Sequence, residues 1–77
     1  MVLIDSSSTH NFISSRMANI LRLPIIPTAG FSVRVAKRET LSCKRKFERV
    51  QVLLQEVLFS LTLYSLRITG LDMVLGV

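Results

Sequence analysis

The apolar residues change period once, at Pro24, and no other feature of the chain constrains its fold as tightly. Before that point Ile13, Met17, Ile20 and Leu21 fall at i, i+4, i+7 and i+8, which is one face of a helix; Ser14, Ser15, Arg16, Asn19 and Arg22 cover the other. This predicts a single helix over residues 12–22, with Thr9 or Asn11 as its N-cap. Pro24 ends it by disfavouring helical geometry at Leu23. Residues 24–30 read as an extended connection punctuated by Pro27 and Gly30. From Phe31 onward the period is two. Phe31, Val33 and Val35 alternate with polar or small residues, Leu41 and Cys43 form a return strand, and Val50, Val52 and Leu54 make a further run, as do Phe59, Leu61 and Leu63. At least four strands are expected between Phe31 and Ile68, with turns at Lys37-Arg38-Glu39 and Gln55-Glu56. The run from Val50 lies on the opposite parity from Leu41, Cys43 and Phe47, so a bulge or break is required between Lys44 and Arg49. Parity shifts again after Ser65, at Leu66 and Ile68. The fold class is mainly β with one short α-helix.

The amino-terminal stretch carries the chemistry. Val2-Leu3-Ile4 is too short for a helix signal and reads as a buried strand. Asp5 follows directly, and Ser6-Ser7-Ser8-Thr9 suits a tight turn, because hydroxyl side chains bond nearby backbone groups. A carboxylate is thereby placed where a strand breaks into a turn, partly desolvated yet reachable. Taken alone, such an Asp serves equally as an Asx-turn or a helix N-cap.

Composition sets the outer bounds. Seventy-seven residues make one small domain, in the range where a single core is marginal without a disulfide, a metal or a partner. A 49% hydrophobic content excludes a disordered tail. No apolar run approaches the ~20 residues of a membrane span, and Asp5 interrupts the amino terminus too early for a signal peptide. One cysteine, Cys43, excludes an intrachain disulfide and fits a reducing intracellular compartment such as the cytoplasm. Neither a cofactor site nor a metal set is evident. The net charge of +5 permits association with nucleic acid or acidic surfaces.

The string Leu3-Ile4-Asp5-Ser6-Ser7-Ser8-Thr9-His10-Asn11-Phe12-Ile13-Ser14 resembles the active-site segment of retropepsin-like aspartic proteases. The likeness is to those encoded by plant long-terminal-repeat retrotransposons of the Ty3/gypsy type, in which the strand ends in Asp-Ser-Gly or Asp-Thr-Gly. Val74-Leu75-Gly76 resembles the second signature of these proteases, two large aliphatics followed by Gly. The resemblance spans essentially the whole chain and implies a partial retropepsin-like barrel over residues 1–77. It also implies a domain truncated at both ends, since the family has sheet-forming residues ahead of Met1 and a Trp-containing segment and helix after Val77.

Aspartic proteolysis needs two carboxylates so close that they cannot both ionise; one keeps its proton while the other polarises a water. The chain has two aspartates, and the resemblance gives Asp72 a structural role beneath the catalytic turn. The resemblance therefore implies a two-fold homodimer acting on a polypeptide substrate, with Asp5 from each copy as the catalytic pair. Ser6 matches the family position whose hydroxyl locks the two turns together. Ser7 stands where the family has Gly. It keeps the backbone N–H but adds a Cβ where the turns meet, which predicts weak or absent activity.

Two other groupings compete for a role. His10 beside Asp5, Ser6, Ser7 and Ser8 suggests a Ser-His-Asp triad. Residues so close in sequence do not line up three side chains, however, and there is no oxyanion loop. Lys37, Arg38, Lys44, Arg45, Lys46 and Arg49 form the conspicuous basic cluster. It reads either as a solvated hairpin edge or as a nucleic-acid-binding surface. Phe47 alone is interleaved, so no stacking platform is indicated. Beside the protease reading stand a non-catalytic β module that dimerises and a basic nucleic-acid-binding fragment.

Overall fold

The computed structural model describes residues 1–6, 8–34 and 40–76. Its elements are β1 (Val2–Asp5), β2 (Phe12–Ser14), α1 (Ser15–Leu21), β3 (Ile26–Arg34), β4 (Thr40–Leu54), β5 (Val57–Leu66) and β6 (Met73–Gly76). All six strands belong to one sheet, in the order β1-β6-β2-β5-β4-β3. The fold is mainly β, a partial retropepsin-like barrel with one short helix. Among the described residues no helix is long and apolar enough to cross a membrane.

The sheet curls so that both faces are covered over its central strands. Ile13, Ala18, Phe47, Leu63 and Leu75 pack on one side; Phe12, Cys43 and Leu66 pack on the other, with Phe31, Tyr64 and Val74 against them. The parity shift after Ser65 follows from this. Leu63 faces the first cluster and Leu66 the second, so alternate residues of one strand are both buried. Cys43 is fully buried, and desolvation pushes its thiol above the usual range, so it acts as a small core residue.

The expected bulge is present. The β4–β5 register shifts between Phe47 and Val50, and Arg49 there takes φ 55°. The strand runs through this irregularity without ending, so β4 is one strand of 15 residues. The described residues therefore form three strands between Phe31 and Ile68, where the alternation predicts four. Gln55-Glu56 is a two-residue turn with φ 48° and 68°, the signs of a type I′ hairpin, closing Leu54 against Val57. The expected turn at Lys37-Arg38-Glu39 lies outside the described residues.

Three other expectations are corrected. The helix covers Ser15–Leu21 only, because the backbone of residues 12–14 is taken into the sheet between β5 and β6. Its N-cap is Ser14, whose Oγ accepts from the Met17 N–H at 3.1 Å, and neither Thr9 nor Asn11. Arg22 ends it in the left-handed region at φ 52°. Ala18 is the buried residue of this helix, whereas Ile20 and Leu21 are exposed. Residues 26–30 are strand, not connection. As part of an edge strand Pro27 loses no ladder bond that matters, and a register irregularity between Pro27 and Phe31 absorbs Gly30 at φ 85°. Finally, Val2, Leu3 and Ile4 form the predicted strand, but at the sheet edge and largely exposed.

Candidate active site

β1 delivers Asp5 at its last position, and the chain turns at once: the Ser8 N–H donates to the Asp5 carbonyl at 3.2 Å. The Ser8 hydroxyl then donates to the His10 carbonyl at 2.7 Å, which fixes the far side of the turn. Asp5 is half-buried and Ser6 exposed; Ser7 lies outside the described residues. Beneath the turn runs β6, parallel to β1, with Gly76 in register with Asp5. Val74 packs towards one core cluster and Leu75 belongs to the other, so the strand is anchored on both faces just before it reaches the turn. A Cβ on Gly76 would sit 2.6 Å from the Ser8 carbonyl oxygen and 3.0 Å from that of His10. Only glycine fits there, and its N–H donates to Asn11 Oδ1 at 2.8 Å. The two sequence signatures are thus a single structure, with the turn of one resting on the glycine of the other.

Asp5 opens on a cleft of about 870 Å³ with an apolar floor that includes Phe12 and Val74. Phe31 and Arg34 of β3 wall one side, and Arg67 lies beyond β5. The ring of His10 stands over this floor, 5.3 Å from the centroids of both Phe31 and Tyr64. Thr9 Oγ1 and His10 Nδ1 are 2.9 Å apart and hydrogen-bonded, so the imidazole is held towards the aromatic rings. The Ser8 hydroxyl is bonded to the main chain of His10 and not to its ring, which leaves no Ser8–His10 catalytic couple. This aromatic group was not legible in the sequence. It depends on the parallel β2–β5 register that sets Phe12 against Tyr64, and no local spacing signals that pairing.

A turn bearing an Asp, seated on a glycine of a parallel strand and facing a β-walled cleft, agrees with a comparison of the whole sequence: the family described as retroviral aspartyl protease matches residues 1–77. The chain belongs to the retroviral aspartyl protease family. No curated protein matches it.

In this protease-family domain the second aspartate is remote from the Asp5 turn. Asp72 pairs with the Met1 ammonium, its N–H donates to the Met1 carbonyl at 2.8 Å, and its carbonyl accepts from Ser14 N–H at 2.9 Å. The ammonium hydrogen bond holds the Asp72 carboxyl below its ordinary range. Those contacts tie β1, β2 and β6 together behind the protease turn.

Among the described residues of the basic cluster, Arg45 and Lys46 fall on opposite faces of β4: Arg45 lines a cleft beside Phe47, and Lys46 is in register with Tyr64. Lys46 is paired with Glu48 at 3.0 Å, which raises its pKa, and Arg49 sits at the bulge. Lys37 and Arg38 lie outside the described residues.

Proposed function

We propose that the chain is an aspartic-endopeptidase domain whose site is completed by a second copy, with Asp5 from each supplying one carboxylate. The observation that carries this reading is the seating of Asp5 in register with Gly76 at the mouth of the 870 Å³ cleft. One carboxyl of the pair keeps its proton and the other polarises a water, which attacks the peptide carbonyl as the pair passes the proton to the leaving amine. No covalent intermediate forms. Ser6 braces the paired turns, and the apolar floor with Phe31 takes side chains of the polypeptide substrate. The exposed apolar edge at β1 supports self-association. The Asp5 string supports descent from the polyprotein protease of a plant Ty3/gypsy-type retrotransposon. Ser7, in place of the family's Gly, reduces the activity of this copy by crowding the junction of the two turns.

The test is cleavage of a peptide library across pH by the natural chain, by Ser7→Gly, and by Ser7→Gly with Asp5→Asn, at concentrations where sedimentation shows a dimer. Ser7→Gly should cleave with an acid optimum, because the pair must hold a single proton. The natural chain should be at least tenfold slower and the Asp5→Asn protein silent. Cleavage that survives Asp5→Asn would overturn the assignment. A dimer that stays silent with Gly at position 7 would leave a non-catalytic β dimerisation module.

A further inference from the structure

On the face of the sheet opposite the Asp5 cleft, a second cleft of about 320 Å³ lies between α1 and the β4–β5 pair. Its polar lining comes from separate elements: Asn19 of α1, Arg22 at the helix C-cap, Arg45 of β4, and the Ser15 and Ser65 hydroxyls, which are bonded to each other at 3.1 Å. No carboxylate lines it. Among the described residues the ion pairs are Met1–Asp72 and Lys46–Glu48, so both guanidinium groups here lack a counter-ion. The Arg22 backbone takes the left-handed conformation, and its N–H donates to the Ala18 and Asn19 carbonyls. Those helix-end acceptors are thereby already satisfied and do not compete for the arginines. Leu23, Ile25 and Phe47 form an apolar wall.

We propose that this cleft binds a phosphate group. Two arginines on one cleft that no carboxylate lines call for a dianion, and a phosphomonoester carries about −1.5 to −2 at neutral pH. Guanidinium forks match its oxygens in paired hydrogen bonds, and the Asn19 amide with a serine hydroxyl adds neutral donors. The apolar wall selects a phosphate on a hydrophobic stem over the free ion. Arg22 and Arg45 are far apart in sequence and line one cleft because β4 carries Arg45 on the side of Phe47, away from Lys46.

The experiment is NMR titration of the 77-residue chain with inorganic phosphate, phenyl phosphate and adenosine 5′-monophosphate. Phenyl phosphate should bind at least fivefold tighter than inorganic phosphate and should shift the amides of Asn19, Arg22, Arg45 and Ser65 in the natural sequence. Arg22→Gln and Arg45→Gln should each weaken binding at least tenfold, while Lys46→Gln, on the face of Tyr64, should leave it unchanged. Tightest binding of the nucleotide would identify a nucleotide as the source of the phosphate. Equal loss on Lys46→Gln and Arg45→Gln would show attraction to net charge alone and overturn the site. Shifts elsewhere in the chain would do the same.

Discussion

The two ends of the sheet are built to different tolerances. Around the Asp5 turn the backbone is fixed by side-chain-to-main-chain bonds: Ser8 to the His10 carbonyl, Asn11 to the Gly76 N–H, and Ser14 to the start of α1. Clearance there is below one methyl group, since Gly76 has no room for a Cβ. At the far end the β4–β5 hairpin is held mainly by its ladder. Leu53 and Leu58 face each other across it and stand 67% and 62% exposed, and Val57 and Phe59 are also open to solvent. Residue identity is therefore dictated atom by atom near the candidate site, and only by alternation away from it. The difference separates a rigid scaffold, which a catalytic turn needs, from a ribbon whose exposed apolar surface favours self-association.

The largest expected effect tests the rigid end. Gly76→Ala should cost about 3 kcal/mol, the upper part of the range for overpacking, because the obstructing atoms are carbonyl oxygens of the turn and not flexible side chains. Gly70→Ala is the control. Nothing lies within 4 Å of its Cβ position, and only its φ of 80° opposes the change, at about 1 kcal/mol. Urea denaturation of both variants checks this, and equal costs would mean that the Ser8 and His10 carbonyls give way and that space at Gly76 is not limiting.

Next in size is Asn11→Ala. It strips the acceptor from a part-buried Gly76 N–H, and a buried donor left unpaired costs about 2 kcal/mol. Asn11→Asp keeps an acceptor and should recover most of that loss. Failure of Asp to recover stability would show that the Asn amide, and not its carbonyl oxygen, holds the turn. By contrast Leu58→Thr, at the open end, should change stability by less than about 0.5 kcal/mol while lowering self-association in sedimentation.

This unevenness also decides what could be read in advance. The parity conflict between Cys43 and Val50 located the bulge, because a one-residue slip exchanges faces and must be corrected somewhere. The Asp5 turn and Val74-Leu75-Gly76 were legible as strings, and the family resemblance set the second beneath the first; the residues alone did not, since β1 and β6 meet across the length of the chain. The helix was overextended because Ile13 fits both a helix face and a strand; sheet hydrogen bonds on both sides of β2 decided for the strand. Ile20 and Leu21 fitted the same wheel, yet a helix of seven residues has too little length to bury them. Pro27 and Gly30 look like breaks in any strand and are breaks only in a central one. His10, Phe31 and Tyr64 come together solely through strand order, and so do Arg22 and Arg45.

A smaller effect should sharpen the contrast from the open end. Gln55 and Glu56 both adopt positive φ, which side chains with a Cβ resist. Replacing them with Asn and Gly, the residues a type I′ turn favours, should stabilise the chain by about 1 kcal/mol. The gain should appear in the denaturation midpoint without a change at the Asp5 turn. A loss would mean that the hairpin tip is held by contacts of Gln55 or Glu56 that outweigh their backbone cost.

The smallest expected effect concerns pH and returns to the rigid end. Asp72 is depressed below its ordinary range chiefly by the hydrogen bond from the Met1 ammonium, with the nearby charges of that ammonium and Arg16 acting in the same direction. A carboxyl whose folded pKa lies below its unfolded value stabilises the fold above the unfolded pKa. That contribution disappears as pH falls through the folded pKa. The pair is exposed, so its contribution is small, but its place matters: Asp72 joins the amino end of β1 to β2 and β6 behind the turn. The depressed pKa keeps this pair charged to lower pH than an ordinary Asp would. Asp72→Asn should be less stable than the natural chain at neutral pH, and the difference should shrink to nothing in strong acid. Acetylation of the Met1 amine should have the same effect as the substitution. Denaturation midpoints followed from about pH 6 to about pH 2 test it. A difference that persists at the acid end would show that Asp72 acts through its backbone bonds or its shape and not through its charge.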